Sequence, residues 1–131
     1  MKNDITTGED IKLLVDAFYT KVRADETIGY IFSNIIGDDW SHHLPIMYQF
    51  WETILLNKPG YSGNPARKHI EVDKKEPLKK EHYERWLQLW QETVDELFEG
   101  ASAEEIKNRA YLMMNLISMK VEWARLGKSL E

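Results

Sequence analysis

The sequence predicts an all-α protein of one domain, and three observations support this. The chain has 131 residues, which is the length of one ordinary domain. Hydrophobic residues make up 43% of the chain, which is enough for a core and too much for a disordered segment. Apolar residues recur at the spacing of an amphipathic helix, and no stretch alternates as a strand would. We therefore assign residues 1–131 to a single helical domain.

Net charge and cysteine content exclude several classes of protein. The formal net charge is −5 at pH 7, whereas a protein that binds nucleic acid or anionic lipid needs a basic face. The chain has no cysteine, which excludes disulfide frameworks, zinc–thiolate sites and iron–sulfur clusters. The first ten residues are polar, and the apolar runs are shorter than the roughly 20 residues that span a bilayer. We expect a soluble, cytoplasmic protein with no nucleic-acid or membrane partner.

Two helices are predicted near the N-terminus. Residues 9–23 carry an apolar face with helical spacing, and Thr7 and Asp10 match a capping box just before it. The apolar residues of that face are Ile11, Leu14, Val15, Phe18 and Val22. A short second helix is predicted over residues 25–34.

The middle of the chain predicts one helix and a long loop. Residues 39–44 are interpreted as a lead-in turn and residues 45–56 as the main helix, because Pro45 removes a helical hydrogen bond. Residues 57–65 are rich in turn-forming types and predict a loop. Residues 66–71 predict one helical turn.

Two longer helices complete the prediction. Pro77 suits the first position of a helix, and residues 78–99 carry an amphipathic pattern that the next glycine ends. Ser102 and Glu105 match a second capping box, which opens the last helix. No apolar seam is evident on the predicted outer faces, so a monomer is the default expectation.

The aromatic content is high for a small helical domain. Aromatic residues are 11% of the chain, and five of them are tryptophan. Those on inward faces are Phe18, Phe32, Phe50, Trp51, Trp86 and Trp90. Most of them are expected to fill the core. The alternative is a cleft for a planar apolar ligand, with polar groups on Tyr19, His43 and Trp86, although each of these alone is more often a satisfied core or rim side chain.

The four histidines differ as candidate metal ligands. His82 lies among charged residues and is expected at the surface, and His42 points about 100° away from His43 around a helix. A zinc site would need a third ligand at helical spacing, and the sequence shows none. An iron held by a porphyrin needs only one imidazole from the protein, and His69 after the long loop suits that role.

Several blocks of sequence occur together in one known family. They are residues 18–23, 28–32, 40–47, 50–52 and 61–65, then His69, then residues 82–87. In this order they resemble the truncated haemoglobins, over roughly residues 10–98. The chain has no Gly-Gly pair, which the other two groups of that family use at helix junctions, so the resemblance is to the third group.

The resemblance implies a fold and a cofactor. The fold would be a two-over-two helical sandwich, and it would hold one haem b. His69 would be the proximal ligand of the iron. Tyr19 and Trp86 would donate hydrogen bonds to a diatomic ligand on the distal side, and His43 would be a further partner or a gate.

The resemblance also implies the rest of the pocket. Met47 would wall the distal side, Phe32 would pack on the haem face, and Phe50 and Trp51 would lie at its edge. Arg67 and Lys68 are candidates to pair with the haem propionates, and a solvated surface pair is an equal alternative. The charged stretch over residues 71–81 is longer than the family pattern predicts.

Three functions follow as hypotheses. The first is a haem protein that binds O₂, CO, NO or another small ligand, in which two donors predict slow release of O₂. An NO dioxygenase or peroxidase activity would need a separate reductase. The second is a haem-free helical interaction module, and the third is a bundle that binds another apolar molecule. Neither of the last two needs His69.

Overall fold

Six α-helices make up the fold in the computed structural model, which describes residues 1–127. They are α1 (Gly8–Ala24), α2 (Gly29–Ile36), α3 (His43–Leu56), α4 (Pro65–Lys75), α5 (Lys80–Leu97) and α6 (Ala101–Arg125). No β-strand occurs in this part of the chain, and the prediction of an all-α class is confirmed. Among these helices, none combines the length and the apolar character that crossing a bilayer requires.

Helix α1 begins as the sequence predicts. The Thr7 hydroxyl accepts a hydrogen bond from the Asp10 N–H at 3.2 Å, and the Asp10 carboxylate accepts from the Thr7 N–H at 3.1 Å. This reciprocal pair satisfies two N–H groups that the first turn leaves free. The helix ends at Asp25, whose carboxylate accepts two backbone N–H groups of the following turn. That turn delays α2, which begins at Gly29 and not at the predicted residue 25.

Helices α3 and α4 differ from their predicted bounds. A turn at residues 41–42 precedes α3, within the predicted lead-in segment. The helix itself begins at His43 and not at residue 45, because Pro45 lies in its first turn, where an N–H has no intrahelical partner. Helix α4 is a full helix of 11 residues and not one turn. Pro65 opens it, and the Asn64 side chain accepts from the Arg67 N–H at 3.1 Å. None of its residues is fully buried, which explains its weak apolar pattern.

A charged cluster holds the chain between α4 and α5. The Asp73 carboxylate accepts from the Leu78 N–H at 2.8 Å and pairs with Arg125 of α6 at 2.5 Å. Arg125 also donates to the Leu78 carbonyl oxygen. Helix α5 begins at Lys80, so the role predicted for Pro77 as its first residue is wrong. The contacts with Arg125 come from the far end of the chain, so the local pattern could not indicate them.

The N-terminal segment caps the last helix. The Asp4 carboxylate accepts from the Ser102 N–H at 3.0 Å and from the Ala103 N–H at 2.9 Å. The predicted capping box of Ser102 and Glu105 is wrong, because the helix begins at Ala101 and Ser102 lies inside its first turn. The residue that caps α6 therefore lies 98 positions away in the sequence.

An aromatic stack forms the centre of the core. Trp90 is 0% exposed and stacks on Trp51 and on Trp86, at centroid distances of 4.5 and 5.5 Å. Its indole N–H donates to the Ile106 carbonyl oxygen at 3.3 Å. Phe18 of α1 meets Trp86 and Trp90 edge-on, at 4.9 Å from each. The stack therefore joins α1, α3, α5 and α6.

Helix α6 is apolar on two opposite faces. Its inner face is buried and consists of Ala103, Ile106, Ala110, Met114, Ile117 and Val121. Its outer face carries Leu112, Leu116, Met119 and Trp123, which are 37–56% exposed. The expectation that no apolar seam is exposed is therefore wrong. The expectation fails because it considers only the inward apolar residues of this helix, whereas the helix is apolar on both sides.

Candidate functional site

The imidazole of His69 is held by a backbone contact on α4. Its Nδ1 lies 2.7 Å from the Pro65 carbonyl oxygen, one turn earlier. A carbonyl oxygen can only accept, so Nδ1 carries the proton and Nε2 keeps a free lone pair. Burial lowers the pKa of His69, and the contact with Pro65 partly opposes that shift. The ring is therefore neutral near pH 7 and oriented, which is the form that ligates a metal.

Tyr19 of α1 lies in a cluster of aromatic rings. Its ring centroid is 5.7 Å from that of His43, 5.9 Å from Phe32 and 4.9 Å from Phe18. The side chain is 5% exposed, and burial raises the pKa of its phenol. The hydroxyl therefore stays protonated and can donate a hydrogen bond. No acceptor for it is found within residues 1–127.

His43, in the first turn of α3, presents an unpaired nitrogen to this cluster. Its Nε2 is buried and makes no hydrogen bond within the described part of the chain. A buried polar atom without a partner costs about 1–3 kcal/mol, so such a position favours a bound group that supplies the partner. Burial lowers the pKa of His43, and the charge of His42 lowers it further. The ring is therefore neutral near pH 7.

Trp86 of α5 adds a second donor near Tyr19. Its side chain is 8% exposed and lies edge-on to Phe18, whose ring separates it from Tyr19. The indole N–H of Trp90 is bonded to a backbone carbonyl, whereas that of Trp86 meets no acceptor in residues 1–127. Helices α1, α3 and α5 thus each carry a polar side-chain group without a hydrogen-bond partner within residues 1–127.

The residues present fit a haem. His69 offers one free imidazole nitrogen, and α4, which carries it, packs on α6. The rings of Tyr19, Phe32, Trp40 and His43 form a separate group, named the distal cluster after the side of the haem that the resemblance predicts for it. Within residues 1–127, no three His, Asp or Glu side chains are grouped to hold a metal ion by themselves. A single imidazole suits an iron whose other ligands come from a porphyrin. The unpaired Nε2 of His43 suits the polar atom of a further ligand.

Comparison with known proteins identifies the family. The bacterial-like globin family matches residues 3–122. The chain belongs to this family. The Group 3 truncated hemoglobin ctb of Campylobacter jejuni is 35% identical to this globin over 111 residues, which are 82% of either chain. A crystal structure of group III truncated hemoglobin from Campylobacter jejuni matches it with a TM-score of 0.84 at 31% identity, over 92% of this chain and 95% of that one.

These matches confirm the resemblance found in the sequence. The globin has the two-over-two sandwich of truncated haemoglobins, and the third group is the one it matches. Membership of the family implies that it binds haem and a small ligand. The roles of its individual residues stay predictions.

Some of the apolar residues that are predicted for the haem pocket of this globin pack in its core instead. Phe32 and Met47 are partly buried against the core. Phe50 and Trp51 are 7% and 2% exposed, and Trp51 is committed to the stack with Trp90. Phe32 also belongs to the distal cluster, whereas Phe50 and Trp51 belong to the central core. Their placement at the haem edge stays a prediction.

Two cations lie beside His69 of the globin. Arg67 and Lys68 precede His69 on α4, and both are exposed. Within residues 1–127 neither side chain forms an ion pair. Pairing with haem propionates would require such free cations, and it stays a prediction.

Trp40 is part of the distal cluster, and the sequence analysis gave it no role. Its ring lies 5.2 Å from Tyr19 and 5.4 Å from His43, and it stacks on Phe32 at 6.1 Å. Its indole N–H donates to the Gly37 carbonyl oxygen at 3.1 Å, which holds the ring in place. The sequence feature that could have indicated this role is the position of Trp40, three residues before His43 in the same block of sequence.

His82 of the globin is buried, so its predicted surface position is wrong. The residue is 7% exposed. Its Nδ1 accepts from the Lys79 N–H at 2.9 Å, and its Nε2 lies 3.4 Å from the Tyr30 hydroxyl. The ring therefore caps the start of α5. Its charged neighbours in the sequence concealed this role, because a side chain in the first turn points back towards the helix start.

Proposed function

We propose that this globin is a haem b protein that binds O₂ and other diatomic ligands, such as CO and NO, with His69 as the iron ligand. The observation that carries the proposal is the 2.7 Å contact between the Nδ1 of His69 and the Pro65 carbonyl oxygen. This contact fixes the tautomer and the orientation of the ring, and it leaves Nε2 free to bind a metal.

Haem b, when bound, supplies an iron that takes a diatomic ligand, and the chain supplies the surrounding polarity. Tyr19 and Trp86 each hold a donor without an internal acceptor. Such donors favour a ligand that gains negative charge on binding, such as O₂, over one that stays neutral, such as CO. Each buried hydrogen bond of this kind contributes about 1–3 kcal/mol, or roughly one to two powers of ten in affinity.

The remaining predicted residues complete the proposal. Phe32 and Met47 would provide apolar walls for the distal side, and Phe50 and Trp51 would support the haem edge. Arg67 and Lys68 would pair with the propionates, because both are exposed cations on the helix that carries His69.

The unpaired nitrogen of His43 favours a second function at the same site. Its Nε2 can accept or hold a proton beside Tyr19, which general acid–base chemistry on NO or peroxide would require. Turnover of this kind needs electrons, and we propose that a separate reductase would supply them. Measurement of NO consumption with and without such a donor tests this function.

The experiment for the haem proposal is the visible spectrum of the protein expressed with haem supplied. We expect an intense Soret band in the ferric, reduced and CO forms of the wild type. His69→Gly should weaken or shift the band, and added imidazole should restore it. The matched control is His42→Ala, because His42 is an exposed histidine outside the site. Its spectrum should equal that of the wild type.

Two results would contradict the proposal. The first is a colourless protein that ignores added hemin, and the second is a haem spectrum that His69→Gly leaves unchanged. A colourless protein that tolerates the loss of His69 would instead be a helical interaction module, or a bundle for another apolar ligand.

A further inference from the structure

The outer face of α6 carries large apolar side chains at the positions of a heptad repeat. In order they are Leu112, Leu116, Met119, Trp123 and Leu126, with exposed fractions of 56%, 47%, 41%, 37% and 64%. The intervals between them alternate between four and three residues. This spacing keeps the side chains on one stripe of the helix and is typical of the seam between two paired helices.

The stripe is separate from the core of the globin. Leu112 follows the buried Ala110 by two residues and therefore points about 200° away from it around the helix. Nine large hydrophobic side chains are exposed within residues 1–127, and six of these lie in α6 or at its end. A surface helix normally carries polar residues on its outer face. An apolar stripe in that position indicates an interface.

We infer that α6 pairs with α6 of a second copy of the chain, in an antiparallel arrangement around a two-fold axis between Leu116 and Met119. In this register Leu116 of one copy packs on Met119 of the other, and Leu112 packs on Trp123. The same stripe serves both copies, as a two-fold interface requires. Helix α6 has 25 residues and is about 37 Å long, so the seam extends over several turns.

The charges beside the stripe favour this orientation over a parallel one. Arg109 lies one heptad before Leu116, on the same stripe. Parallel pairing would place the two Arg109 side chains against each other. Antiparallel pairing places Arg109 beside Leu126 and near Glu122 of the second copy, where the charges are opposite. Arg109 contacts Glu105 at 3.2 Å in its own chain, and both side chains are about half exposed.

Sedimentation of the protein, with and without added haem, tests the inference. We expect the wild type to be a dimer, and we expect Leu116→Lys and Met119→Glu each to raise the dissociation constant roughly tenfold or more. The two variants mixed in equal amounts should dimerise again, because the introduced lysine of one then faces the introduced glutamate of the other. Leu13→Lys is the matched control, since Leu13 is 53% exposed on α1, and it should leave the mass unchanged.

Three results of these experiments would contradict the inference or its register. A wild type that stays monomeric at the highest concentration reached would overturn the inference, as would a dimer that survives Leu116→Lys. A mixture that stays monomeric would overturn the antiparallel register. An unchanged far-ultraviolet circular dichroism spectrum in each variant shows that it has folded. The mass readout does not depend on which residue binds haem, so this inference and the proposed function fail independently.

Discussion

At the scale of single residues, the distal cluster contains polar groups that lack a hydrogen-bond partner within the described part of the chain. Tyr19 is held by the rings of Phe18, Phe32 and Trp40, none of which can accept its hydroxyl proton through a conventional hydrogen bond. Its raised pKa keeps that proton in place at any physiological pH. The residue is therefore an oriented donor that a bound ligand can use.

Removal of the Tyr19 hydroxyl tests this directly. We expect Tyr19→Phe to accelerate O₂ dissociation by about 10- to 100-fold, because one buried hydrogen bond is lost. CO dissociation should change much less. Stopped-flow replacement of O₂ by CO measures the rate. Tyr48→Phe is the control, since the Tyr48 hydroxyl bonds Asp16, and an equal acceleration there would refute the assignment.

The sequence predicts the candidate residues of the site but not their neighbours. His69, Tyr19, His43 and Trp86 are proposed from residue types within short blocks of sequence, and their roles stay predictions. The contact of Trp40 with the cluster depends on how α1 and α3 pack together, and no single block contains that information.

At the scale of helices, side chains distant in sequence hold several of the ends. Asp4 accepts two N–H groups at the start of α6. We expect Asp4→Ala to lower the free energy of unfolding by about 1 kcal/mol, with Asp4→Asn closer to the wild type because its amide oxygen still accepts. Urea unfolding followed by circular dichroism measures both. An Asn variant as unstable as the Ala variant would contradict this explanation.

The cap at the start of α5 responds to pH. His82 must be unprotonated to accept from the Lys79 N–H, and burial lowers its pKa below the ordinary 6.5. The unfolded chain therefore binds more protons, so stability is full above about pH 6.5 and falls as the pH falls below it. We expect His82→Gln to reduce this loss between pH 7 and pH 5. Thermal melts at several pH values measure it, and an unchanged pH profile would contradict the role of His82.

Local patterns predicted the helices with a strong apolar face and missed the ends set by distant partners. Helix α1 has its apolar face within its 17 residues and its capping box at its start, and its prediction is confirmed. Helix α4 has no fully buried residue, so its periodicity was too weak to give its length. Arg125 holds the following loop from 47 positions away in the chain.

At the scale of the whole molecule, the tryptophan stack joins the helices that carry the distal donors. Trp90 contacts Trp51, Trp86 and Phe18 and is fully buried. We expect Trp90→Ala to lower the free energy of unfolding by about 3–5 kcal/mol through loss of contacts and a residual cavity. Leu13→Ala, at an exposed site, should change it by less than about 0.5 kcal/mol. Chemical denaturation compares them, and similar losses would contradict the central place of the stack.

The carbonyl partner of His69 also has an electronic consequence. A carboxylate in that position would draw the Nδ1 proton towards itself and give the ring anionic character, which strengthens donation to a ferric iron. The Asp73 carboxylate, one turn further on, is engaged by Arg125 and Leu78. Within residues 1–127 the Nδ1 of His69 contacts the neutral Pro65 carbonyl, so the imidazole would be a moderate donor to an iron bound as proposed. The reduction potential of such an iron would then favour the ferrous state, which takes up O₂, more than a carboxylate partner would.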